Sequence, residues 1–106
     1  MTFHGRSGCG QPGLSDAGKE VTLAGWVDAL RDHGEVLFIH LRDRSGIVQV
    51  VFSPESTPKK TCEMAGLLRN EFCVLIRGTV IKRAEGTGNP NIATGDIEVV
   101  ADDLTI

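Results

Sequence analysis

Tyrosine is absent from this 106-residue chain, and one Trp with four Phe supply all its aromatic rings. A protein that coats single strands by stacking base after base needs a richer set of rings. Cysteine is scarce as well. The three residues, at 9, 62 and 73, make an odd count without a Cys-x-x-Cys pair. Neither a disulfide framework nor a zinc knuckle is expected from them, and such usage fits the cytoplasm. The three histidines, His4, His33 and His40, lack metal-ligand spacing, so no metal is expected. No apolar run approaches the roughly 18 residues of a membrane span, and the opening MTFHGRSGCG lacks the apolar core of a signal peptide. Positive charge is not in excess either. Eleven Lys and Arg against 14 Asp and Glu leave a net charge of −3. That excludes a blanket polycation and leaves room for a local basic patch.

What is present has the length of one domain with one small core. Residues 1–19 are rich in glycine and polar side chains and read as an arm, with a helical turn near Leu14 that ends at Gly18. From residue 20 the texture becomes strand-like. VTLAGWV (21–27) carries Gly25 as the mark of a bend or bulge. The turn DHGE (32–35) feeds VLFIHLR (36–42), DRSG (43–46) is a second tight turn, and IVQVVF (47–52) is a third strand. Thr57 with Pro58 reads as an N-cap and first helical position. Cys62, Ala65 and Leu68, flanked by Met64 and Leu67, then form an apolar stripe over a helix from Lys59 to about Arg69. A fourth strand covers 72–81, a Gly- and Asn-rich loop 84–91, and a last strand starts at Asp96. Three strands, a helix and two strands is the element order of the OB-fold, an all-β, five-stranded Greek-key barrel. An SH3-like barrel has no ten-residue helix at that point.

Alternation then sorts the side chains by face. Leu37, Ile39 and Leu41 share the interior, as do Val48, Val50 and Phe52, and Ile97 with Val99. Phe38 shares the other face with His40 and Arg42, where burial in the core cannot explain a ring. A stacking platform for a nucleic-acid base can. Gln49 faces outward on the next strand and both donates and accepts, which suits a base edge. Glu98 faces outward on the last strand; ionised, it only accepts, which suits the N1–H and N2–H₂ of guanine. Arg31 and Arg83 flank this face and suit a phosphate or a base. Stacking with base-edge hydrogen bonds is how single-stranded RNA is read in sequence-specific fashion, and an acidic body with a few placed cations is compatible with it.

Several blocks carry a family pattern: VTLAGWV (21–27), RDHG (31–34), FIHLRDR (38–44), GIVQVVF (46–52), LRNEFC (68–73) and ATGDIEV (93–99). In that order and spacing, across nearly the whole chain, they resemble the N-terminal anticodon-binding domain of bacterial aspartyl-tRNA synthetase. The resemblance implies that residues 20–106 bind the anticodon loop of tRNA. Phe38 would stack on the middle base and Gln49 would read it as uracil. Arg31 and Glu98 would surround the first base, a guanine. Arg83, Asn89 and their loop would approach the anticodon's end. His33 and Gly86 match the form of the enzyme that charges both tRNA(Asp) and tRNA(Asn), because a neutral imidazole can satisfy either third base and Gly86 adds no side chain to enforce a choice.

The resemblance also implies an ATP-dependent class II ligase, with Mg²⁺, whose catalytic domain lies elsewhere. A Phe-Arg-x-Glu segment and a Gly-rich motif ending in Arg do not occur here. The chain is therefore expected to be non-catalytic and free of cofactors. A homodimer is expected for the parent, and a monomer or weak dimer for the domain alone. The competing reading is a free-standing OB-fold protein that binds single-stranded nucleic acid without sequence preference. A barrel that binds only other proteins is a third.

Overall fold

Two tight turns organise the first half of the molecule. The computed structural model describes residues 8–84 and 86–106, so the first seven residues of the expected arm lie outside the described residues. β1 (Glu20–His33), β2 (Val36–Asp43) and β3 (Gly46–Phe52) form an antiparallel meander. Only Gly34 and Glu35 join β1 to β2, and Gly34 takes φ 73°, a left-handed setting that suits the first position of so short a turn. In the β2–β3 turn, Asp43 Oδ1 accepts the Ser45 N–H at 2.8 Å and the Ser45 hydroxyl at 2.6 Å. Its Oδ2 accepts the Cys9 N–H at 2.9 Å. Burial pushes the Asp43 carboxyl up, but these hydrogen bonds outweigh it and hold the group below its usual range. The described part of the N-terminal segment thus packs on the barrel. Cys9 is fully buried in the core, and a 3-10 turn, Leu14–Asp16, stands where the helical turn is expected.

α1 (Lys59–Ala65), β4 (Cys73–Lys82) and β5 (Ile97–Thr105) complete the chain. The strands close a barrel in the order β1-β2-β3-β5-β4, with β3 and β5 parallel and the other pairs antiparallel. This is the five-stranded barrel, with its helix between the third and fourth strands, that the sequence pattern predicts. The inward set follows alternation: Ile39, Leu41, Val48, Val50, Phe52, Ile97 and Val99 are all closed off from solvent.

Four local expectations need correction. The first strand does not stop near residue 27. β1 runs to His33 because it serves two neighbours, pairing with β4 over residues 20–26 and with β2 over 26–33. The bulge is not at Gly25, which sits in regular register opposite Val74. Gly25 is glycine because a Cβ there would collide with the Arg42 carbonyl. The register slips instead between Val27 and Ala29, leaving Asp28 as the extra residue. Thr57 is not a cap either. Its hydroxyl accepts the Ser53 N–H at 3.1 Å, while Pro58 occupies the cap position with no side-chain hydrogen bond. The helix itself ends at Ala65, with Gly66 as C-cap, although Leu68 remains buried beyond it. Thr61 ties α1 to β5 by donating to the Asp102 carbonyl at 2.8 Å.

Candidate nucleic-acid interface

The slip at Asp28 decides which side chains of β1 face outward. Before it, Leu23 and Val27 point into the barrel. After it, Leu30 packs against the core, opposite Ile39, and Ala29 and Arg31 stand opposite His40 and Phe38 on the outside. Uninterrupted alternation from Val27 would have aimed Arg31 inward. A bulge that re-aims a functional side chain is a common use of the device.

Two cross-strand rows result. Arg31, Phe38 and Val51 are successive partners across β1, β2 and β3, and Ala29, His40 and Gln49 are the next row. Gln49 Nε2 donates to Glu98 Oε1 of β5 at 3.0 Å, which extends the second row by one strand. A cleft of about 290 Å³ lies over them, lined by Ala29, Leu30, Arg31, Phe38, His40, Gln49, Arg83 and Asn89. Five of the eight residues singled out from sequence therefore meet in one cleft, and Glu98 joins through its bond to Gln49. His33 stands at the rim, edge-on to Phe38, with ring centroids 5.4 Å apart at 79°. Gly86 lies apart, in a neighbouring depression with Leu14, Lys82, Ala84, Gly88 and Asp96, which Arg83 also lines.

Gln49 and Arg83 are not the surface side chains that alternation suggests. They are 5% and 7% exposed. The segment between β4 and β5 folds back beside the cleft, fastened where Thr94 Oγ1 donates to the Ile47 carbonyl at 2.6 Å and Asn89 N–H to the Gly95 carbonyl at 2.9 Å. Arg83 holds this segment from inside. Its Nε donates to the Ile97 carbonyl at 3.0 Å and its Nη1 to the Thr87 carbonyl at 3.1 Å. Its Nη2 has no hydrogen-bond partner among the described residues. Burial, then the neighbouring Glu98, Arg31 and Asp96, set its titration, with a net downward shift. A guanidinium stays charged regardless, so among the described residues Nη2 is a buried donor without an acceptor on a residue that lines the cleft.

The hydrogen bond to Glu98 also fixes the Gln49 amide. A carboxylate can only accept, so the NH₂ end must face it and the carbonyl oxygen must face away. The cleft thus meets an amide of defined polarity. The Arg31 guanidinium carbon lies 5.9 Å from the Phe38 ring centroid. At that distance and exposure the contact is worth about 0.5–1 kcal/mol. A base stacked on the ring is worth about 1–3 kcal/mol, so it can displace the arginine and leave it free for a phosphate.

Sequence reasoning placed His40 on this face but assigned it nothing; the signal was its position two residues from Phe38. In the structure it is half-buried at the middle of the second row. Burial first, then Arg83 and Arg31, pull its pKa below the ordinary histidine value, with Asp28 opposing and Arg42 adding a little. Arg42 is itself paired with Asp28 at 3.2 Å. Among the described residues there is no cluster of three or more His, Cys, Asp or Glu that could hold a metal, and no helix is long and apolar enough to cross a membrane.

Comparison with known proteins identifies the family. Residues 21–106 match the family model of the OB-fold nucleic acid binding domain. The whole chain is 54% identical to part of the Aspartate--tRNA(Asp/Asn) ligase 1 of Syntrophus aciditrophicus, covering 15% of that protein. Over 92 residues, 87% of the chain, it is 59% identical to the Aspartate--tRNA(Asp/Asn) ligase of Mycobacterium avium, again 15% of the longer protein. Among solved structures, the asparaginyl-tRNA synthetase of Pyrococcus horikoshii, complexed with asparaginyl-adenylate, superposes with a TM-score of 0.77 at 30% identity, over 94% of this chain and 21% of that one. What matches is a small part of each ligase, and the remaining length of those enzymes has no counterpart in these 106 residues. The chain belongs to the OB-fold anticodon-binding domains, in the branch carried by aspartyl- and asparaginyl-tRNA synthetases.

Proposed function

We propose that this domain binds the anticodon loop of both tRNA(Asp) and tRNA(Asn), and that it serves a cytoplasmic aspartate–tRNA ligase of relaxed tRNA choice. The observation that carries the reading is the cleft itself. One outward face collects a half-buried ring, an amide of fixed polarity, a carboxylate and two guanidinium groups, while the chain as a whole is acidic. Phe38 stacks the middle base. The Gln49 carbonyl accepts from N3–H of a uracil there, and its second N–H donates to a uracil carbonyl. Glu98 retains a carboxylate oxygen for the donors of a guanine at the first position. Arg31 and the Nη2 of Arg83, which has no partner among the described residues, take phosphate or base acceptors. The ATP and Mg²⁺ of aminoacylation belong to the rest of such a ligase.

The two tRNAs differ at the third anticodon base, where cytosine has an amino donor and uracil a carbonyl acceptor. His33 at the rim offers one donor and one acceptor, and Gly86 carries no side chain to exclude either base. The test is a titration of two anticodon stem-loops that differ only in that base. Affinities within about tenfold, or 1.4 kcal/mol, are expected. A larger preference for cytosine refutes relaxed recognition by this domain.

A further inference from the structure

We propose that His40 is a second base platform, seating the nucleotide next to the one stacked on Phe38. The inference rests on the anticodon-loop reading above and extends it to a side chain that reading leaves idle. Phe38 and His40 are two residues apart on β2 and lie on the same face, so their side chains are about 6.6–6.8 Å apart along the strand. Stacked bases rise by about 3.4 Å. Two neighbouring bases laid on these two rings are therefore pulled to twice that spacing. That is the splayed geometry in which single-stranded RNA is read by aromatic surfaces.

The surroundings of His40 favour this use over a structural one. It lines the cleft beside Gln49 and Arg83, opposite Ala29, whose methyl group leaves the approach open. Among the described residues neither ring nitrogen makes a hydrogen bond. Three arginines, Arg31, Arg42 and Arg83, bear on it from β1, β2 and the segment after β4, against Asp28 alone of opposite sign. Burial first, and then these arginines, lower its pKa and so favour the uncharged imidazole, a flat ring with a donor and an acceptor on its edge. A base over it would have Gln49 one strand away and Glu98 two strands away in the same row. Stacking on His40 and an edge contact from Glu98 can therefore act on the same nucleotide while Gln49 reads its neighbour.

The test uses the domain, an anticodon stem-loop of tRNA(Asp), and the same stem-loop made abasic at the nucleotide 5′ or 3′ to the middle base. With intact RNA at pH 7.5, His40→Ala should weaken binding by about 5- to 100-fold, the range of one lost base–aromatic stack. His40→Phe should restore most of it. On one of the two abasic stem-loops the His40→Ala penalty should shrink to under about threefold, while the Phe38→Ala penalty persists. A histidine that only supports the barrel would instead cost the same with every RNA, and that result overturns the proposal. So does an unchanged affinity in His40→Ala. If the wild-type domain fails to bind the intact stem-loop, or Phe38→Ala binds it unimpaired, the failure lies in the anticodon-loop reading and takes the platform with it.

Discussion

Replacing Glu98 by Gln keeps the size of the side chain and removes its charge, which isolates what the carboxylate does for Gln49. In the native domain the carboxylate accepts from Gln49 Nε2 at 3.0 Å and forbids the flipped amide, whose carbonyl would face a carboxylate oxygen. A hydrogen bond to a charged group is worth about 1.5–3 kcal/mol. Glu98 is half-exposed, so water weakens the bias, and about 1–2 kcal/mol is a fair expectation. An amide at position 98 both donates and accepts, so it tolerates either orientation of Gln49. Uracil and cytosine present reversed donor and acceptor patterns on the edge that Gln49 faces. One amide orientation suits uracil and the flipped one suits cytosine. Glu98→Gln should therefore lower the uracil-over-cytosine selectivity at the middle base by about 5- to 30-fold. The assay is fluorescence titration of two stem-loops that differ only there. Any direct contact of Glu98 with the first base is common to both RNAs and cancels in the ratio. Melting should fall by less than about 8 °C, since an amide–amide hydrogen bond can replace the lost one. A selectivity ratio unchanged within twofold, with binding retained, refutes the idea that Glu98 orients the reader.

Two further outcomes are expected. Phe38→Ala should weaken binding of the intact stem-loop by about 1–3 kcal/mol with little change in urea stability, because the ring stands outside the barrel; equal affinity, or a collapse of the fold, would sink the platform assignment. His40 links stability to pH. Its folded pKa is depressed, so above about pH 7 neither the folded nor the unfolded form carries its proton and the group contributes no difference. As pH falls through the ordinary histidine range of about 6.5, the unfolded chain takes up the proton first and stability drops. Urea midpoints at pH 7.5 and 5.0 should therefore differ more for the wild type than for His40→Ala, and parallel pH curves for the two would contradict the assignment.

The inward and outward faces of β2, β3 and β5 could be read from the chain because alternation is a local property. Leu37 to Leu41 and Val48 to Phe52 need no partner to declare their faces. The same alternation could place Gln49 outward but could not say that Glu98, 49 residues away, would meet it there. Nor could it show that the segment after β4 would return to the cleft and bury Arg83. Those are long-range contacts, and polarity alone reads such residues as solvated. The bulge was misplaced for a related reason. Gly25 has the local mark of an irregular strand, yet its missing side chain answers to the Arg42 carbonyl on the next strand, while Asp28 carries no mark at all. Residues 31–33 look like a loop until β2 pairs with them.

β3 and β5 meet over only two residue pairs, Val50 with Val99 and Val51 with Val100, the one parallel contact in the barrel. This is the seam of the cylinder, joining segments nearly 50 residues apart in the chain, while hairpin turns join β1 to β2 and β2 to β3. Contacts that close so long a loop carry a larger entropic cost, and this one rests on few residue pairs. Gln49 and Glu98 are the neighbours of those two pairs. A barrel unzipped at this line keeps its meander and its Phe38 ring, yet has no oriented amide to present. On the proposed reading, fidelity at the middle base is tied to closure of the cylinder: a partly opened domain would still hold RNA by stacking and charge while losing the means to tell one pyrimidine from the other.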